Sequence, residues 1–508
     1  MIALSWGCWL LLAALSPTRA LAQDPAAPPP ANDLKAEVDA LREEVRRLHD
    51  RLDGKPEAGK ADVAEVATSA FSIHMGEGKP GKDGGGGLVI EVPGKLRLRF
   101  DAQLRWRAEY RGDRYAQPKT NSETDFVGQR IRLGCDIDVG EHLGARIVIQ
   151  DTRLWGDKAD AFVGARLDSD QPELMLREGY GVLREPFGIP LELKVGRMSV
   201  PNLGNQRLIS NLDWSFVGRA WDGVQLTFEP KGWWMTGFAS NIREASALPV
   251  PGDENDDVWF LGAYVSNRMV EKHELDAFLY WRHIGDDRLG ALTTNRNGAT
   301  GKRKDYTAGL RLKGELGLLF YNGLIAYQFG DQVGDTIDAW ATAVEAGVKV
   351  DLGGGQRLSI SSELAWSSGD GKSTDKRIRT FDPLLPFAHF FNGHQDLFAW
   401  RNLYSTNLKL AYAPLENLSL HTDLHGFWLD RRDDLWYGIG FTRADTANRA
   451  RSSYAGLEVD TYAKLTVVGG RLSFWGGYSH FFPGSWVRTT GSKTSGQDWV
   501  FLMTTLDF

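Results

Sequence analysis

Leu96 to Arg111 reads LRLRFDAQLRWRAEYR, and this stretch decides how the chain folds. Leu96, Leu98, Phe100, Ala102, Leu104, Trp106, Ala108 and Tyr110 hold one parity. Arg97, Arg99, Asp101, Gln103, Arg105, Arg107, Glu109 and Arg111 hold the other. Successive strand side chains point to opposite faces, so this is a ribbon with one apolar and one charged face. A helix would scatter both classes around its axis. The run is also about twice the length of an ordinary globular strand, and a tilted strand crosses a bilayer in about 9–11 residues. On this stretch alone, a long strand of a soluble sandwich or lipocalin-like barrel reads the same way. The rest of the chain separates the two.

The N-terminal residues read as an export signal over 1–22. Leu10 to Leu15 form a short apolar core, and Ala20-Leu21-Ala22 fits a small-x-small cleavage site. After cleavage one cysteine, Cys135, remains, so no intramolecular disulfide is expected. No later segment offers about 18 consecutive apolar residues, which excludes a transmembrane helix. The mean hydropathy of −0.32 suits strands with one wetted face. The 18 Trp and 57 Gly suit interfacial aromatic belts and many turns. A net charge of −7 argues against nucleic-acid binding.

Residues 23–32 form a Pro/Ala linker. In 33–53, Leu34, Val38, Leu41, Val45, Leu48 and Leu52 alternate spacings of four and three, an a/d seam. This predicts a short periplasmic coiled-coil helix capable of joining copies of the chain; a lone helix with a hydrophobic stripe is the alternative. Residues 54–89 are rich in Gly, Lys, Ala and Asp and read as a flexible tether.

From residue 90 to 508 one grammar repeats: alternating segment, tight turn, alternating segment, long polar loop. Tight turns fall at 140–142, 229–232, 314–317, 351–355, 414–417 and 469–470. Long loops fall at 154–173, 198–219, 241–256, 283–303, 367–401, 429–452 and 483–497. Short turns at one end and long loops at the other are the asymmetry of an outer-membrane barrel. The fold class predicted is all-β: a transmembrane antiparallel β-barrel of about 18 strands. Strand centres are expected near 103, 132, 147, 178, 194, 225, 236, 261, 278, 309, 324, 346, 361, 407, 422, 459, 475 and 503. The terminal WVFLMTTLDF, with Val500, Leu502, Leu506 and Phe508 on one parity, resembles the closing strand read by the barrel insertion machinery.

Charge toward lipid costs about 2–4 kcal/mol near the midplane, so the charged parity should face the lumen. The inward set then includes Arg97, Arg99, Arg105, Arg107, Arg130 and Arg132, interleaved with Asp101, Glu109, Asp136 and Asp138. Arg146, Arg311, Lys313, Lys349, Arg357 and Lys409 extend it. Guanidiniums fork onto carboxylates and phosphates, so a cationic wall suits an anionic solute. The same interleaving also allows the wall to pair with itself and only rigidify the barrel.

Two loops carry a family likeness. One is Val195 to Val224, VGRMSVPNLGNQRLISNLDWSFVGRAWDGV, at Gly196-Arg197, Gly204, Gln206-Arg207-Leu208, Trp214, Gly218-Arg219 and Asp222-Gly223. The other is Phe381 to Asn402, FDPLLPFAHFFNGHQDLFAWRN, at Phe381-Asp382-Pro383, Pro386, His389, Gly393, Asp396 and Trp400-Arg401-Asn402. With Phe427-Trp428-Leu429 and Trp436-Tyr437, these stretches resemble the alginate export family of outer-membrane porins over residues 95–508. The resemblance implies a monomeric 18-stranded barrel with an Arg-rich, loop-gated pore for an anionic polysaccharide. It also implies Arg197, Arg207, Arg219 and Arg401 as constriction residues, with Asp222 and Asp396 as their ion-pair partners. The N-terminal coiled coil departs from the alginate exporter. It keeps open a trimeric, phosphate-type small-anion porin and a structural barrel tethered to the cell wall. His389 and His394 with Asp382 and Asp396 match no metal or nucleophile spacing. No enzyme, metal or cofactor is expected; the partners expected are outer-membrane lipid and an anionic solute.

Overall fold

The computed structural model describes residues 72–75, 87–92, 94–112, 123–156, 174–242, 258–285, 298–372, 374–439, 441–443, 452–489 and 495–508. The export signal, the Pro/Ala linker and the coiled coil of 33–53 lie outside the described residues.

The alternating segments become eighteen barrel strands. The first nine are β1 Leu96–Gly112, β2 Thr124–Val139, β3 Leu143–Gly156, β4 Met175–Arg184, β5 Leu191–Ser199, β6 Ala220–Phe228, β7 Trp233–Asn241, β8 Val258–Asn267 and β9 His273–Ile284. The rest are β10 Arg303–Leu316, β11 Leu319–Gln332, β12 Asp335–Gly353, β13 Gln356–Ser367, β14 Leu403–Leu415, β15 Leu418–Leu429, β16 Tyr454–Val467, β17 Leu472–Pro483 and β18 Gln497–Asp507. Every expected centre falls inside its strand. Each strand pairs antiparallel with the next, and β18 pairs with β1 from Asp498↔Gly112 to Asp507↔Gln103, which closes the barrel. Closure removes the unpaired edges that lipid would not tolerate. The backbone N–H of Phe508 donates to Ala102 at 2.9 Å, so the terminal residue is part of the seam.

Outward side chains such as Leu133, Ile147, Val195, Leu310, Leu364 and Leu502 are exposed, forming the apolar coat that lipid covers. The connections at the end where β1 begins are tight. At the opposite end they are long, with one exception: β11 and β12 are joined by Val333-Gly334, both at positive φ (53° and 83°), a two-residue hairpin of the primed kind.

The tether read over 54–89 is not structureless throughout. Ser72–Met75 pairs with Leu88–Val92, which pairs with the first residues of β1. Leu88–Val92 continues the row that β18 leaves vacant, because β18 stops opposite Gln103 while Leu88 sits opposite Phe100. Unused ladder groups at the start of β1 recruit this strand despite the polar, Gly-rich composition around it.

The interior has two unlike halves. On β6 to β9 the inward positions are aromatic: Trp221, Phe238, Phe260, Tyr264, Phe278 and Tyr280 are buried against Leu203, Leu208, Ile209, Phe381 and Trp400 of the two longest described loops. On β1 to β4 the inward positions are charged. Loops folded into the lumen turn one half of it into a dry core and leave the other as the polar wall.

Candidate functional site

Two loops build the site. Loop A (200–219) follows β5 and loop B (368–402) follows β13; both turn inward and meet. The N–H of Leu385 donates to Leu208 O and that of Phe387 to Gln206 O, each at 2.9 Å, and Arg219 Nη1 donates to Pro386 O at 2.8 Å. Backbone bonds across the lumen make the loops one bridging element.

Loop A is docked on the charged wall by the arginines of β1 and β2. Asp213 forms ion pairs with Arg105 (3.1 Å), Arg130 (3.0 Å) and Arg132 (2.7 Å). Its carbonyl accepts from Arg105 Nη1 and Arg130 Nη1. Ser215 O accepts from Arg130, and Val217 O from Arg132. Arg107 donates to Trp214 O at 2.6 Å and lies 4.1 Å from the Trp214 ring and 4.2 Å from the Phe216 ring. It also pairs with Glu109. Charge-assisted bonds to carbonyls and carboxylate in a confined space explain why so many guanidiniums tolerate burial together. Burial works against the charge on Asp213, yet Arg130, Arg105 and Arg132 hold its carboxyl well below the usual carboxylate range.

A β-bulge adds a further cation. Val148 pairs with Glu178 and Ile149 with Leu176, which leaves Arg177 unmatched between them. A bulge re-aims side chains; here Glu178 reaches Arg146 at 3.1 Å, while Arg177, 2% exposed, makes no ion pair among the described residues. Four guanidiniums thus gather around Asp213, whose carboxylate is itself 45% exposed. Asp507, engaged by Gln103 at 2.8 Å, lies beyond them on β18.

Loop B is docked on the opposite wall. Asp382 accepts from Arg282 at 2.6 Å, and Arg282 and Arg303 both clasp Asp305. Burial opposes ionisation of Asp382, but Arg282, Arg401 and Arg303 hold its carboxyl well below the usual range. The loop tip is aromatic and histidine-rich. His389 stacks on Trp214 at 4.2 Å and meets Asp396 at 3.2 Å. Burial pushes the His389 and His394 imidazoles down, so both stay neutral at pH 7. The N–H of His394 donates to Asp460 and that of Gln395 to Glu458, fixing the tip to β16.

The residues nominated from sequence divide into groups. Arg105, Arg107, Arg130 and Arg132 converge on loop A. Arg99 pairs with Asp136, and Arg97 sits exposed at the tight-turn end. Arg207, from loop A, is buried against Glu363 at 2.5 Å and flanked by Phe391 (4.1 Å) and Trp400 (4.7 Å). Arg219 holds loop B, and Arg401 lies 4.7 Å from the Tyr437 ring. Asp396 meets His389, and among the described residues no arginine pairs with it. Arg197 and Asp222 do pair, at 3.0 Å, as register partners on β5 and β6. Next to them Met198 and Trp221, also opposite each other, are buried in the lumenal core. Asp213 and Arg177 were missed. An acid isolated between Leu212 and Trp214, in a loop facing an arginine-rich ribbon, was a signal for the first; nothing in the alternation announces the bulge that aims the second.

The family model for alginate export matches residues 96–501. The chain belongs to the alginate export family. Its match runs from the start of β1 into β18 and takes in both lumenal loops. Solved structures share the fold. OpdL of Pseudomonas aeruginosa is 13% identical with a TM-score of 0.50, over 81% of this chain and 98% of that one. A BenF-like porin from Pseudomonas fluorescens Pf-5 is 13% identical at 0.51, over 81% and 98%. OccAB4 of Acinetobacter baumannii is 10% identical at 0.52, over 80% and 98%. No curated protein sequence matches the chain. This alginate export family member is an outer-membrane β-barrel channel.

Proposed function

We propose that the channel passes anionic solutes, foremost an acidic oligo- or polysaccharide, along the arginine face of β1 to β4. The observation that carries this reading is the cationic excess around Asp213. Arg105, Arg130 and Arg132 share one half-exposed carboxylate, and Arg177 lies buried near them with no ion pair of its own among the described residues, so the local field favours a second anion. Guanidiniums paired with loop carbonyls are held in place, which suits a solute that must bind weakly at successive positions and move on. Family membership supports the polymer. The bridge between loops A and B narrows the lumen and supports the second reading, a channel for small anions such as phosphate.

Flux into proteoliposomes separates these. Charged alginate oligomers should enter much faster than neutral maltooligosaccharides of the same length. Equal rates would sink the anionic reading. Entry of phosphate with exclusion of every oligomer would favour the small-anion channel.

A further inference from the structure

The wall of β14 to β17 holds two lysines that the anion route does not use. Lys409 on β14 donates to Phe390 O at 3.0 Å, at the tip of loop B. Lys464 on β16 has its Nζ 4.0 Å from the Trp475 ring centroid, 5.3 Å from Phe390 and 5.7 Å from Tyr462. Phe390 itself stacks on Trp475 at 5.6 Å with 14° between the planes. Neither ammonium has an ion pair among the described residues. Asp423, directly across from Lys409, lies 3.5 Å from the Tyr462 hydroxyl instead. Two lysines at a lumenal wall are thus satisfied only by a carbonyl and ring faces, both weaker partners for an ammonium than a carboxylate. The tip they hold is bracketed by Leu384 (φ 66°) and Asp396 (φ 58°), left-handed backbone that disfavours residues with a Cβ.

We propose that Lys409 and Lys464 form a carboxylate subsite which the channel's own loop tip occupies at Phe390. An acidic saccharide entering the lumen competes for the two ammoniums, frees Phe390 and lets the stretch around it withdraw, while His394 and Gln395 keep the end of the tip on β16. The tip runs from its backbone bonds with loop A to β14 and β16, so its release widens the lumen on that side. This rests on the acidic-solute reading for the chemistry of the competitor.

Single-channel recording of the full chain in planar bilayers tests it, with trigalacturonate as probe and maltotriose as neutral control. In the native channel, trigalacturonate raises the open fraction and maltotriose does not. Lys464→Met keeps the alkyl stem and removes the charge. It should raise the basal open fraction roughly three- to thirtyfold, the span of a cation–π contact, and abolish the response to trigalacturonate. Phe390→Leu should raise the basal open fraction while leaving trigalacturonate binding intact; this variant covers the case in which Lys464→Met does not assemble. A basal open fraction unchanged in both variants, or a full trigalacturonate response in Lys464→Met, overturns the latch. Reversal potential in the same recordings separates the two levels. Lost anion preference in the native channel sinks the solute reading, whereas a flat trigalacturonate response with anion preference intact sinks the latch alone.

Discussion

Replacing Asp213 with Asn removes the one carboxylate shared by Arg105, Arg130 and Arg132 while keeping shape and backbone. Each charge-assisted bond is worth about 1.5–3 kcal/mol in favourable cases. Two features reduce the loss. All three arginines retain carbonyl acceptors on loop A, and the carboxylate is 45% exposed and therefore screened. A net destabilisation of about 1–3 kcal/mol is expected, read as lower resistance to denaturant in detergent micelles. The functional effect runs the other way. Removing a unit negative charge at about 4 Å from a passing ion is worth about 1 kcal/mol in water-like surroundings, roughly a fivefold gain for an anion and an equal loss for a cation. The reversal potential across a KCl gradient measures it. A shift toward cations, or none, would refute the placement of this cluster on the ion path.

The pH dependence follows from the same group. The folded carboxyl of Asp213 lies well below its ordinary value of 3.8, so its contribution is fully present above that value and is lost as pH falls toward the folded one. The stability difference between native protein and Asp213→Asn should hold constant from pH 8 to about 5 and shrink only below that; a difference that titrates near neutrality would contradict the pairing.

Arg207→Met leaves Glu363 buried with only the Asn407 amide nearby, and should cost about 3–5 kcal/mol, seen as protease sensitivity of loop A. Adding Glu363→Leu should recover most of that loss; no recovery would mean that Arg207 acts through packing on Phe391 and Trp400. Deleting Phe508 should reduce assembled barrel in the outer membrane several-fold, by heat-modifiable mobility on gels, because the residue closes the seam at Ala102 and is expected to be read by the insertion machinery. Deleting 33–53 should lower the native oligomer mass by light scattering if that heptad joins chains; an unchanged mass would make it a spacer.

Strand number, order and lipid face were legible because alternation has a single period and lipid enforces it, as in β1 and β2. The dry half of the lumen was not. Phe238, Phe260 and Phe278 look inward as any aromatic on a strand could, and they become core only because loops A and B fold onto them. Arg177 was beyond reach, because a bulge changes register without changing composition. The loop-to-wall clasps join residues more than eighty positions apart, such as Arg130 and Asp213, a pairing that local pattern does not encode.

The most direct test of the central claim is the current carried by the purified native channel in a planar bilayer under a KCl gradient, before and after adding alginate oligomers. An arginine-faced conduit predicts an anion-selective current whose single-channel amplitude falls, in a concentration-dependent way, while oligomers occupy the lumen. A cation-selective current, or one indifferent to the oligomers, would contradict it.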